Sequence, residues 1–176
     1  MPRIMVTPLS LVDETVRTHG PSHLLTLLGP AYMIDHHGAF APPRHLRIQV
    51  NDIAAPIAGQ TEPTAGHVAR VLAFVDDWDR SAPMLIHCWA GISRSTASMF
   101  MALCKLNPER DETEILARMR RLAPHIAPNR LLTAHADDLL GRGGRMVDAL
   151  DAVGPARPAS EGYLFELPAV LGGEAE

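Results

Sequence analysis

The feature that most constrains this chain is a short apolar run, Pro83-Met84-Leu85-Ile86-His87. It passes through Cys88 into a glycine-containing loop and then into a Met- and Ala-rich stretch, about Ser95 to Leu106. A run without polar interruption fits a strand covered on both faces, as interior strands of parallel sheets are. The helix that follows supplies part of that cover. The unit implies an α/β fold: a single domain with a central, mostly parallel sheet of four or five strands flanked by helices.

The flanking sequence extends this reading. His23 to Leu28 reads as a buried strand ended by Gly29-Pro30. Leu46, Ile48 and Val50 alternate with Arg47, Gln49 and Asn51 at the period of a strand that ends at Asp52. Residues 53–63, with Pro56, Gly59 and Pro63, read as a loop. Val68, Val71, Leu72, Val75 and Trp78 then recur at the spacing of a helix face packed on a sheet. Further helices are expected at about Ser10 to Thr18, Glu109 to Leu122 and Pro128 to Leu140, with Asn107-Pro108 and Pro124 as breaks. The domain is expected to span 1–153, with 154–176 a loosely attached Pro- and Gly-rich C-terminal tail. The tail's Tyr163-Leu-Phe165 stretch can dock on the body or on a partner.

With 176 residues, 47% hydrophobic, the chain can bury the core of one domain. Its formal charge of −4 gives no global reason to bind nucleic acid, and no segment approaches the ~20 apolar residues of a membrane span. Neither a signal peptide nor a disulfide framework is legible, since Cys88 and Cys104 are the only cysteines. The expectation is a cytoplasmic protein with reduced thiols, no nucleic-acid partner and no membrane partner.

The chemistry concentrates in residues 87–95, His-Cys-Trp-Ala-Gly-Ile-Ser-Arg-Ser. A loop between a strand and a helix start gathers unpaired backbone N–H groups and the positive end of the helix dipole, so it can cradle an anion. The same field stabilises a thiolate, which makes Cys88 a candidate nucleophile. Arg94 can hold two phosphoryl oxygens with its planar fork. Gly91 lets the backbone approach a ligand closely. Ser95 places a hydroxyl where it can hydrogen-bond the sulfur. Trp89, Ala90, Gly91, Ile92, Ser93 and Arg94 form the candidate phosphate-binding loop; whether Trp89 and Ile92 face substrate or core stays open. His36, His37 and His45 read as loop histidines without metal-site spacing. Arg118, Arg120 and Arg121 read as a solvated face.

The run His87-Cys88-x-x-Gly91-x-Ser93-Arg94-Ser95 resembles the signature loop of the protein tyrosine phosphatase superfamily, most closely its dual-specificity-like branch. The resemblance extends from about Pro21 to Leu140 and implies further roles. An aspartate some thirty residues before the cysteine, on a mobile loop, protonates the leaving oxygen and then activates water; Asp52 fits that position. In the segment Ala123-Pro124-His125-Ile126-Ala127-Pro128-Asn129, Asn129 is expected to help hold the loop's shape, and His87 to act as a supporting hydrogen-bonding residue. The implied activity is hydrolysis of phosphotyrosine, phosphoserine/threonine or other phosphoesters through a cysteinyl-phosphate, with no metal or other cofactor. The implied partner is a phosphorylated protein or small phosphoester, and phosphate or sulfate can occupy the loop. The alternatives are a phospho-recognition module of weak catalytic power, or a phosphatase for a phosphoinositide or RNA 5′-phosphate.

Overall fold

A computed structural model describes residues 1–41 and 44–172. Its sheet has five strands: β1 (Arg3–Pro8), β2 (His23–Leu28), β3 (His45–Gln49), β4 (Met84–Cys88) and β5 (Phe165–Pro168). Their order is β3-β2-β4-β1-β5, with every neighbouring pair parallel except β1 and β5. The apolar run around Leu85 lies mid-sheet as β4, and all five of its residues are buried.

Among the described residues six α-helices cover the sheet: α1 (Val12–His19), α2 (Ala65–Asp77), α3 (Arg94–Leu106), α4 (Glu112–Leu122), α5 (Arg130–Leu139) and α6 (Arg145–Val153). On the larger face, Ile4, Val6, Leu25, Leu27, Ile48, Met84 and Ile86 pack with α2 through α6. On the other face Met5, Leu24 and Leu85 meet Val12 of α1 and Phe40. The alternation of side chains along each strand explains the split: neighbouring residues such as Met84 and Leu85 serve opposite cores.

Three expectations are corrected. The chain beyond Gly154 is not a loose tail over its described length, because β5 pairs antiparallel with β1 and buries Phe165, Leu167, Ala169 and Leu171. Arg120 helps fix that connection, its Nη1 donating to the carbonyls of Gly154 and Pro155 at 3.3 and 2.8 Å, so it is not a purely solvated residue. His45, expected in a loop, begins β3 and is buried. The tail's last four residues, 173–176, lie outside the described residues.

Candidate active site

All four parallel strands point their carboxyl ends at one edge of the sheet, where open α/β folds bind ligands. Cys88 ends β4 there and Arg94 begins α3, so the loop spans the shortest path from strand to helix.

The loop's carbonyls are held from outside. Trp89 O accepts from the Leu9 N–H at 3.0 Å, Ala90 O from Gly162 at 2.8 Å, Ile92 O from Ala127 at 2.9 Å and Ser93 O from Asn129 at 3.2 Å. With carbonyls turned outward, the amides turn inward. No backbone N–H from Ala90 to Arg94 has an intramolecular acceptor among the described residues. Such a set of converging donors is an anion nest. Gly91 makes the turn possible: its φ is +70°, and a Cβ would come within 2.8 Å of Pro8 N and 3.0 Å of Thr7 C. The Gly162 contact shows that the tail closes the loop, which composition alone hides.

Inside this ring Cys88 is 2% exposed, and its Sγ lies 3.1 Å from Ser95 Oγ. A thiolate can only accept there, so Ser95 is the donor to it. Arg94 is buried; its Nη1 donates to Val50 O at 3.0 Å, while its Nε is buried with no hydrogen-bond partner. A buried guanidinium N–H without an acceptor is costly unless a ligand supplies one. Asp52 completes the group. Its Oδ1 accepts from Ser93 Oγ at 2.6 Å and from Asn129 Nδ2 at 2.9 Å, and its Oδ2 lies 4.0 Å from Arg94 Nε. Asn129 also donates to Ile53 O at 3.0 Å and caps α5 by accepting from Leu132 N–H at 3.1 Å. It thereby ties the loop, Asp52 and a helix start together.

A recess of about 310 Å³ lies over this arrangement, lined by Leu28, Gly29, Tyr32, Asn51, Asp52, Trp89 and Arg94. Trp89 is 55% exposed and meets Tyr32 edge to face, with ring centroids 5.3 Å apart. Trp89 thus faces the recess; Ile92 is half-buried. A larger recess of about 550 Å³ lies over α4 and Leu171, but no cysteine, histidine or other strong nucleophile lines it.

His87 belongs to a buried relay that residue patterns missed. The His37 N–H donates to His45 Nδ1 at 3.0 Å, so the proton of neutral His45 sits on Nε2. That Nε2–H donates to Thr26 Oγ1 at 2.8 Å, and Thr26 has one proton left to give to His87 Nε2, 2.6 Å away. His87 then carries its proton on Nδ1 and donates to Cys88 O at 3.3 Å. One backbone amide fixes the direction of every bond up to the cysteine. Burial pushes His87 and His45 down to about 4, so both are neutral at pH 7. The signal available in sequence was positional: Thr26 and His87 sit at paired registers of β2 and β4, and His45 begins the next strand.

Two further aspartates and the second cysteine lie apart from this group. Asp76 pairs with Lys105 at 3.0 Å, and Asp79 binds Ser81. Cys104 is a free, buried thiol whose burial raises its pKa. Among the described residues no group of His, Cys, Asp and Glu is arranged to hold a metal ion, and no helix is long and apolar enough to cross a membrane.

Comparison with solved structures finds the same arrangement of strands, loop and helices in a known fold. The chain has the fold of the protein tyrosine phosphatases in the form taken by their dual-specificity members. It is similar to human tyrosine phosphatase-like serine/threonine/tyrosine-interacting protein, with TM-score 0.62 and 17% identity over 79% of this chain and 91% of that one. It is similar to PTPMT1 in complex with PI(5)P, with TM-score 0.59 and 14% identity over 79% and 93%. Human DUSP28 gives TM-score 0.59 and 17% identity over 79% and 88%. No family model and no curated protein matches the sequence.

Proposed function

We propose that this protein is a cysteine-dependent phosphatase that hydrolyses aromatic phosphomonoesters, phosphotyrosine among them. One observation carries the reading: the amides from Ala90 to Arg94 and the buried Arg94 Nε all lack acceptors around a cysteine 3.1 Å from a serine hydroxyl. A phosphoryl group supplies the missing acceptors. The Trp89–Tyr32 pair at the rim favours an aromatic ester, because a flat ring can stack against it.

The chemistry follows in two steps. The Cys88 thiolate attacks phosphorus in line while Arg94 and the loop amides hold the equatorial oxygens. The bond from phosphorus to the leaving oxygen breaks, and Asp52 gives that oxygen its proton. Water then attacks the cysteinyl-phosphate, Asp52 takes its proton, and the sulfur departs as a thiolate that Ser95 stabilises. Asn129 and Ser93 position Asp52, and residues 53–63 serve as its lid.

A recognition role has one specific support, the likeness to a structure described as a tyrosine phosphatase-like interacting protein. Cys88, Asp52 and Arg94 gathered at one site favour turnover instead. Hydrolysis of p-nitrophenyl phosphate in the presence of chelator tests the choice. Wild type should turn over, Cys88→Ser should be inactive, and Asp52→Ala should lose ~10² or more. Binding of a phosphopeptide without turnover would install the recognition reading.

A further inference from the structure

The chain from Gly154 to Leu164 is a strap between α6 and β5, and most of its residues are exposed. It is docked along residues 122–125. Arg157 N–H donates to Pro124 O and Tyr163 Oη–H to Leu122 O, both at 2.9 Å, while Ser10 Oγ donates to Glu161 Oε1 at 2.6 Å. The strap bonds to the phosphate-binding loop through Gly162 N–H, which donates to Ala90 O at 2.8 Å.

That bond sets the direction of a peptide plane. In a trans peptide the C=O and the following N–H point opposite ways, so holding Ala90 O outward aims Gly91 N–H into the anion nest. The carbonyls nearer α3 are held more than once. Ile92 O accepts from Ala127 N–H at 2.9 Å and from Thr96 Oγ1 at 2.5 Å, and Ser93 O from Asn129 N–H, Ala97 N–H and Thr96 Oγ1 at 3.2, 3.0 and 3.0 Å. Among the described residues Ala90 O has no donor other than Gly162. The residue that follows it is Gly91, and a glycine accepts either sign of φ at little cost. An unheld Ala90–Gly91 plane can therefore turn over, as the central peptide of a type II turn does, and present its carbonyl to the phosphoryl oxygens in place of an N–H.

Position 162 is glycine for room. A Cβ there would lie 2.5 Å from His125 Nε2, 3.0 Å from His125 Cδ2 and 3.2 Å from Gly91 O. The His125 ring cannot simply swing away. It is buried and meets Tyr163 edge to face with ring centroids 4.6 Å apart. Its Nε2 is buried without a hydrogen-bond partner, so packing places the ring there.

We propose that Gly162 is a positioning residue for the phosphate-binding loop: delivered by the strap, its N–H keeps the Ala90–Gly91 peptide turned so that Gly91 N–H points at the phosphoryl group. The inference rests on the phosphatase reading for its kinetic test, and on the anion nest alone for its second test.

The kinetic test is a double-mutant cycle on kcat/KM for p-nitrophenyl phosphate, measured below the unfolding temperature of each variant. Gly162→Ala should lower kcat/KM by about 10² when residue 125 is histidine, the scale of one lost preorganised donor. In the His125→Ala background, where the ring is gone, the same substitution should cost less than about threefold; a loss through general packing would not depend on the ring. Equal losses in the two backgrounds, or no loss in the first, overturn the proposal and leave the phosphatase reading intact.

The second test needs no variant and no turnover. If phosphate binding requires Gly91 N–H inward, bound phosphate must in return slow the opening of the Gly162 bond, because coupling is reciprocal. Saturating inorganic phosphate should slow hydrogen exchange at Gly162 N–H by about tenfold more than at Arg157 N–H, the scale of one charge-assisted hydrogen bond. Arg157 belongs to the same strap but holds Pro124, so it is the internal reference. Equal slowing at both amides, or none, overturns the proposal even where Gly162→Ala does not fold. If wild type hydrolyses no ester, the phosphatase reading falls, and this exchange ratio decides the strap's role separately.

Discussion

Replacing Thr26 with valine removes one hydroxyl and keeps the shape. In the native relay that hydroxyl accepts from His45 Nε2–H and donates to His87 Nε2, at 2.8 and 2.6 Å. Thr26 and His87 are fully buried and His45 nearly so, so water cannot take over. The substitution leaves one donor and one acceptor unsatisfied, each at about 1–3 kcal/mol. Valine's greater apolarity returns part of this, leaving a net loss of about 2–4 kcal/mol. Urea unfolding near neutral pH, where both imidazoles are uncharged, reads the loss as a lower midpoint at unchanged slope. Thr26→Ser, which keeps the hydroxyl, should recover most of it. A loss below about 0.5 kcal/mol in Thr26→Val, the scale of an ordinary surface change, would refute the relay.

Three further predictions follow from the same geometry. Burial holds His87 and His45 at about 4, whereas an unfolded histidine titrates near 6.5. The unfolded chain thus binds protons that the native one refuses: stability is full above about pH 6.5 and falls as pH drops toward 4, by about 1.4 kcal/mol per unit for His87. Urea midpoints that stay flat between about pH 6.5 and 5, before most carboxylates titrate, would contradict this. Gly91→Ala forces a Cβ into the β1 backbone at positive φ, and thermal unfolding should show a loss of about 3 kcal/mol. Leu167→Ala should cost about 2–5 kcal/mol by the same measurement, because Leu167 is a core residue of β5; a near-neutral result would return the segment to a loose tail.

The interior of the fold was legible where physics is local. An unbroken apolar run requires cover on both faces, so β2 and β4 were found within a residue, and the alternation of Leu46 to Val50 located β3. β1 and β5 were missed for a physical reason. Arg3-Ile-Met-Val-Thr-Pro has no distinctive period, and Phe165-Glu-Leu-Pro is too short to stand out from its Gly- and Pro-rich surroundings; they are strands because the first pairs with β4 and the second with the first. α6 begins after Gly143-Gly144, a pair that reads as a break, and is helical because Met146 and Ala149 bury against the core. At the site, Cys88, Arg94 and Ser95 are close in sequence and could be read together, and Asp52 and Asn129 came through the family resemblance. Thr26, His45, Tyr32 and Gly162 reach the site only through the sheet and the tail, by contacts with no local signal.

The most direct measurement is a rapid quench of the protein into denaturant during turnover of p-nitrophenyl phosphate, followed by peptide mass analysis. The account predicts one phosphoryl group on the Cys88 sulfur and none in Cys88→Ser. Turnover with no phosphoryl group on Cys88, or with the group on another residue, would contradict it.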